Sequence, residues 1–134
     1  NLFRAASAVR NHFERNVLAE SGLSWTAFVV LWVTWIWGPI ETRQIADEGG
    51  FSKATLTGVL TTLEGRKFVE REKSPTDGRL VLVRLTPSGR KLMDSLFPAF
   101  NNEEKSVASV ISAADQPVVA EALRAITERA EGSR

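Results

Sequence analysis

The chain has 134 residues, 25% of them charged and 43% apolar, and a net charge of +1. That is the size and composition of one globular domain with a single core. It has no cysteine and one histidine, which excludes disulfides, Cys-ligated zinc, thiol redox sensing and a His-rich metal site. The charge is unevenly spread. Ile40 to Lys91 carries ten Lys/Arg against seven Asp/Glu, and the stretch from Leu92 onward carries four against seven. A basic middle before an acidic end suits a central module facing a polyanion, held moderately and in a salt-sensitive way. The first residue is not Met, so a longer natural N-terminus is expected; no signal peptide or internal repeat is visible.

Residues 2 to about 20 are predicted to form an amphipathic helix, with Phe3, Ala6, Val9, Phe13 and Val17 spaced three and four apart. Ser21-Gly22 ends it. No charge falls between Ser21 and Pro39, and all four tryptophans lie in this stretch. From Trp25 the apolar run is thirteen residues, too short to span a bilayer, so a helix buried nearly all round is expected. Trp25, Phe28, Trp32 and Trp35 share one stripe. It reads either as core or as the wall of a pocket for a small aromatic or apolar molecule, with His12, Ser24 and Thr26 as polar contacts. A lone histidine on a half-apolar helix can equally be satisfied in place.

Ile40-Glu41 is expected to pair with a later hairpin. Thr42 is expected to cap a short helix through Glu48, and Gly49-Gly50 to turn into Phe51-Ser52. Ser52 then caps a helix whose Leu56, Val59, Leu60 and Leu63 define one buried face. Its other face carries Lys53, Ala54, Thr57, Gly58 and Thr61, all small or hydroxylic apart from one cation. After Gly65 the period changes to two, and Val69–Lys73 and Val81–Leu85 read as strands around the turn Ser74-Pro75-Thr76-Asp77-Gly78-Arg79.

Helix, glycine turn and helix is the signature of a helix-turn-helix; the plainer readings are an ordinary loop at Gly49-Gly50 and a small α/β core with a solvated hairpin. The second helix of such a unit is expected to enter the major groove of DNA. There threonine methyls and hydroxyls can meet base edges, and Ser52 at the helix N-terminus can meet a phosphate. Gly58 either avoids a clash in the groove or allows close helix packing. Arg79 on the hairpin tip can reach a neighbouring minor groove or remain a solvated charge. Lys73 and Arg84 can meet phosphates; Arg84 can instead pair with Glu70 or Glu72 across the hairpin.

Thr86-Pro87 is a strong helix start. A long helix to about Ser112 is expected, carrying Leu92, Leu96, Phe97, Phe100, Val107, Val110 and Ile111 and kinked at Pro98. Ser112 to Asp115 resembles a capping box that opens a last helix to about Glu131.

Leu23 to Leu92 resembles the MarR family of winged helix-turn-helix transcriptional regulators. The resemblance rests on SKATLTGVLTTLE, the FVERE strand, Asp77-x-Arg79 in the wing and Leu85-Thr86-Pro87-x-Gly89 after it. It extends more loosely to both ends of the chain. Many members have Gly where this chain has Lys67, with Gly65 two residues earlier, which leaves the recognition-helix C-cap open. The resemblance implies that Asp77 orients the basic wing and that Arg79 enters the minor groove. It also implies an effector pocket between the end helices and the DNA-binding lobe. Lack of cysteine excludes the family's cysteine-based peroxide sensors.

The expected fold is mainly α with a small β-hairpin (α+β), a single domain over 1–134. A winged helix-turn-helix lobe at 24–86 lies between dimerisation helices at 1–22 and 87–134. The expected function is a homodimeric repressor on a palindromic operator of double-stranded DNA, relieved by a small aromatic or apolar ligand. The alternatives are a ligand-independent DNA-binding regulator and a winged-helix protein-interaction module. The DNA-facing residues are Ser52, Lys53, Ala54, Thr57, Gly58, Thr61, Lys73, Asp77 and Arg79; the ligand-facing ones are His12, Ser24, Trp25, Phe28 and Trp32. An enzyme is not expected, because one His, no Cys, no Tyr and no paired carboxylates in an apolar setting leave little acid–base chemistry. No cofactor and no membrane partner are expected, and the location is the cytoplasm of a bacterium or archaeon, at the nucleoid.

Overall fold

The computed structural model describes residues 1–132. In chain order the elements are α1 (Leu2–Phe13), α2 (Trp25–Trp37), β1 (Ile40–Glu41), α3 (Thr42–Gly49), α4 (Lys53–Gly65), β2 (Val69–Lys73), β3 (Val81–Leu85), α5 (Pro87–Ala108) and α6 (Gln116–Glu131). The chain forms two compact units, Asn1–Phe100 and Asn101–Arg134.

In the first unit the three strands form an antiparallel sheet in the order β1-β3-β2. Ile40 pairs with Val83, and Val69 with Leu85. Buried Leu56, Leu60 and Leu63 of α4 join Val69, Val83, Leu85, Ile45, Val30 and Leu31 in the core. A second layer is aromatic. Phe100 of α5 lies 4.7 Å from Phe13 of α1 and 4.9 Å from Phe28 of α2, ring centre to ring centre, and Phe97 lies 5.2 Å from Trp35. α2 is capped twice: the Ser24 hydroxyl accepts the Ala27 N–H, and the Glu14 carboxylate accepts the Trp25 N–H.

Several expectations are corrected. The first helix is not α-helical to residue 20. It ends at Phe13, widens into a π turn over Glu14–Leu18 and tightens into a 3-10 turn at Ala19–Ser21. Phe13 and Leu18, five apart, are both buried, which a wider turn permits and a strict i, i+4 ladder does not. α2 is not buried all round, because Ile36 and Trp37 at its C-terminal end face solvent, Trp37 being 62% exposed. The N-cap of α3 is Glu41, not Thr42. Its carboxylate and the Gln44 side chain form the reciprocal box, which hydroxyl-based reasoning overlooks.

The two ends of the helix-turn-helix are built alike. At the end of α3 the Phe51 N–H donates to the Ala46 carbonyl and Gly50 takes φ +69°. At the end of α4 the Phe68 N–H donates to the Leu63 carbonyl and the Lys67 N–H to Glu64, and Lys67 takes φ +66°. Both are Schellman turns. Lys67 therefore does adopt the conformation that glycine would, as a left-handed L-residue, which costs about 1–2 kcal/mol. Lys67→Gly relieves that strain but adds about 0.5–1 kcal/mol of unfolded-chain entropy. The expected net is a gain of about 1 kcal/mol, read from urea unfolding at fixed protein concentration.

α5 begins as expected. The Thr86 hydroxyl accepts the Gly89 N–H and donates to the Lys67 carbonyl, and the Thr86 N–H donates to the Phe68 carbonyl. It ends at Ala108, four residues before the expected Ser112, and Pro98 lies inside it. In the second unit, Ser112 to Asp115 keeps half of the expected box, the Ser112 hydroxyl accepting the Asp115 N–H, but forms a turn ahead of the helix. The Ser112 hydroxyl donates to the Asp115 carboxylate, and α6 starts at Gln116 with Pro117 in its first turn. Among the described residues of this unit none is buried. Val110, Val118, Leu123 and Ile126 lie exposed, Val118 by 66%. At the other end of the chain Phe3 of α1 is 87% exposed.

Candidate nucleic-acid interface

α4 separates two chemistries by helical period. Leu56, Leu60 and Leu63 face the core, while Ser52, Lys53, Ala54, Thr57, Gly58 and Thr61 are all exposed. The N-cap forms as expected: the Ser52 hydroxyl accepts the Thr55 N–H and bonds the Thr55 hydroxyl at 2.9 Å. The outer threonines spend their protons on the helix itself. Thr57 donates to the Lys53 carbonyl and Thr61 to the Thr57 carbonyl, both at 2.9 Å. Thr57 keeps its methyl and oxygen lone pairs on the exposed face, suited to thymine methyls and to base N–H donors, while the Thr61 oxygen also accepts from Arg71 Nη2 at 3.5 Å. A Cβ built on Gly58 meets nothing within 4 Å, so this glycine does not serve helix packing within the chain.

The hairpin holds its tip firmly. The Ser74 N–H donates to the Leu80 carbonyl, and the Ser74 hydroxyl accepts the N–H groups of Thr76 and Asp77. Asp77 grips Arg79 three times, accepting from its backbone N–H at 3.0 Å, from Nε at 3.1 Å and from Nη2 at 3.2 Å. The guanidinium and then the backbone N–H of Arg79 hold the Asp77 carboxyl below its ordinary pKa. The Arg79 side chain is nevertheless 90% exposed. Lys73 is exposed at the end of β2. Arg84 takes its second option and pairs with Glu70 at 2.8 Å and Glu72 at 3.7 Å.

Two functional-looking features escaped the sequence reading. Arg71 lies behind α4 and bonds Glu64 at 3.1 Å, bracing helix against strand. The signal was available, since Arg71 shares the inward face of β2 with buried Val69. A cavity of about 480 Å3 opens in the same region, its walls including Arg43, Phe51, Lys53, Leu56, Thr57 and Arg71.

Of the residues assigned to a ligand, Trp25, Phe28 and Trp32 come together around Phe100. Trp32 Nε1–H is buried and has no hydrogen-bond partner among the described residues. Ser24 is committed to its helix cap. His12 stands on α1, with Nδ1 3.1 Å from the Asn16 amide and its ring edge-on to Phe13. Among the described residues no single helix is long and apolar enough to cross a membrane.

Known proteins resemble this chain in sequence and in fold. The uncharacterized HTH-type transcriptional regulator YwaE of Bacillus subtilis (strain 168) is 37% identical over 96% of this chain and 75% of its own length. The structure of BpsR from Bordetella bronchiseptica, described by the regulation of its DNA binding by 6-hydroxynicotinic acid, superposes with a TM-score of 0.87. It is 28% identical over 95% of this chain and 90% of that one. The fold also matches Sco3205 of Streptomyces coelicolor, with a TM-score of 0.91 at 19% identity over 98% of this chain and 84% of that one. The MarR family model matches residues 23–81, from the start of α2 to the outgoing strand of the hairpin. With the recognition-helix surface and the wing in place around that match, the chain belongs to the MarR family of transcriptional regulators.

Proposed function

We propose that the protein is a homodimeric repressor that binds a pseudo-palindromic operator and is released from it by a small aromatic or apolar ligand. The carrying observation is the outward face of α4. Six small, hydroxylic or cationic residues from Ser52 to Thr61 stand exposed over three buried leucines, with Arg79 held at the tip of the adjoining hairpin. In this reading Thr57, Gly58 and Thr61 meet base edges. Ser52, Lys53, Ala54 and Lys73 lie along the phosphates, and Asp77 aims Arg79 at the minor groove. The exposed apolar residues of α1 and of α6 supply the dimer contact, since solvated Phe3 and Val118 need cover. The site of action is the cytoplasm of a bacterium or archaeon, at the nucleoid.

The ligand is assigned to the aromatic stripe on α2, where the unpaired Trp32 N–H offers a donor. BpsR, a relative whose DNA binding is regulated by 6-hydroxynicotinic acid, supports an aromatic acid as the class of ligand. One observation favours ligand-independent regulation instead: Phe13 and Phe28 are both buried against the ring of buried Phe100, as plain core residues would be.

Selection from random-sequence DNA tests the reading. The expected product is an inverted repeat with half-site centres about ten base pairs apart, bound less tightly as salt rises. Enrichment of no sequence would overturn it. Tryptophan quenching by a panel of aromatic acids, paired with loss of DNA binding, then separates the ligand-responsive form from the ligand-independent one.

A further inference from the structure

We propose that Arg66 is a positioning residue: it fixes the angle at which α4 is held against the segment leaving α1, and so sets the half-site spacing the protein accepts. This rests on the dimeric DNA-binding reading above. Arg66 is the C-cap of α4. Its guanidinium reaches across more than forty residues of sequence to the end of the 3-10 turn, where Nη2 donates to the Ser21 carbonyl at 2.6 Å and Nη1 to the Gly22 carbonyl at 3.2 Å. Carbonyls at a helix end lack partners within the helix and carry partial negative charge, so a cation is well matched there. The guanidinium carbon also lies 4.9 Å from the centre of the Phe68 ring, which fixes its plane.

The next two residues carry the link onward. The Lys67 carbonyl accepts the Thr86 hydroxyl at 2.6 Å and the Phe68 carbonyl accepts the Thr86 N–H at 3.0 Å. Arg66, Lys67 and Phe68 therefore tie the end of the recognition helix to the segment before α2 and to the start of α5. The segments that follow α1 and open α5 both meet α4 at this one point. Arg66 itself is exposed, so its effect falls on orientation more than on stability. The lever is long. A helix of this length measures about 20 Å, and a tilt of about 5° moves its far end by about 2 Å, roughly half the rise of one base pair. The planar fork meets the two carbonyls in a fixed geometry; a lysine ammonium, a point charge on a flexible stem, would hold them less rigidly.

The test uses the full chain, Arg66→Met and Arg66→Lys, on the DNA selected by the unsubstituted protein and on copies with the spacer lengthened or shortened by one and two base pairs. The unsubstituted protein is expected to prefer its own spacing by about a hundredfold and Arg66→Met by about tenfold or less, with Arg66→Lys between them. The slope of log affinity against log salt is expected to stay unchanged, because no phosphate contact is lost. An unaltered spacing profile with uniformly lower affinity would overturn the proposal. So would a salt slope reduced by about one, the mark of a direct phosphate contact. Loss of cooperative unfolding in both variants would make Arg66 a fold residue and overturn it too. If the unsubstituted protein selects no DNA, the functional reading itself fails and the proposal with it.

Discussion

Gly89→Ala is expected to destabilise the fold by about 3 kcal/mol, a fall in melting temperature on the order of 10 °C for a chain of this size. Local propensity points the other way. Gly89 lies in the first turn of α5, and alanine in a helix is favoured over glycine by about 1 kcal/mol. The decisive term is contact. A Cβ at residue 89 would run into the Phe68 carbonyl oxygen, and the Phe68 carbonyl carbon lies 3.0 Å from the same point. Neither group can swing away as a side-chain tip could. That carbonyl also accepts the Thr86 N–H, and the Gly89 N–H is bound to the Thr86 hydroxyl. Relief therefore requires moving the start of α5 off the end of α4 and breaking bonds that cap both. Thermal unfolding at fixed protein concentration measures the effect. An unchanged or raised melting temperature would mean that the α4–α5 junction is slack.

The same junction separates what the sequence makes legible from what it does not. Helical period alone assigns Leu56, Leu60 and Leu63 inward and Thr57, Gly58 and Thr61 outward, because the side a residue faces depends on its own helix. The hairpin is equally local: period two on both sides of a Pro-Thr-Asp-Gly turn. Ser52 and Thr86 declare their helix starts by residue chemistry, whereas Ser24, read as a ligand contact, turns out to cap α2. Contacts between distant segments leave no such trace. Nothing near Arg66 in sequence points to Ser21 and Gly22, and Lys67 carries no local sign of a left-handed backbone. The π turn after Phe13 is invisible for a related reason. It exists to bury Leu18 against the rest of the chain, while the local pattern favours an unbroken α-helix. Trp37 misleads in the opposite sense, since a tryptophan closing an uncharged, largely buried helix looks like core and is largely exposed.

Neutralising Arg79 is expected to weaken binding to the selected DNA by roughly ten- to a hundredfold without changing the melting temperature by more than about a degree. The two halves of that expectation have separate causes. The side chain is 90% exposed and its ion pair is confined to the hairpin tip, so the fold loses nothing that solvent does not replace. DNA, in contrast, loses a cation held ready. Asp77 grips the guanidinium through Nε and Nη2, so little side-chain freedom remains to be lost on entering a groove. The pairing is robust to pH. Arg79 holds the Asp77 carboxyl below its ordinary value, so the charged pair is present at neutral pH and is lost only as pH falls through that lowered value. Binding is therefore expected to show no step attributable to this pair between about pH 5 and pH 8. Asp77→Ala separates aim from charge. It leaves the cation but frees it, so affinity for random DNA is expected to rise while discrimination in favour of the selected sequence falls. Arg79→Ala lowers both affinities and reduces the salt slope by about 0.9 if the lost contact displaced one counterion. Titration of selected and random duplexes across a salt series distinguishes the two variants. Equal binding by Arg79→Ala and the unsubstituted protein at every salt would remove the wing from the interface and leave recognition to α4.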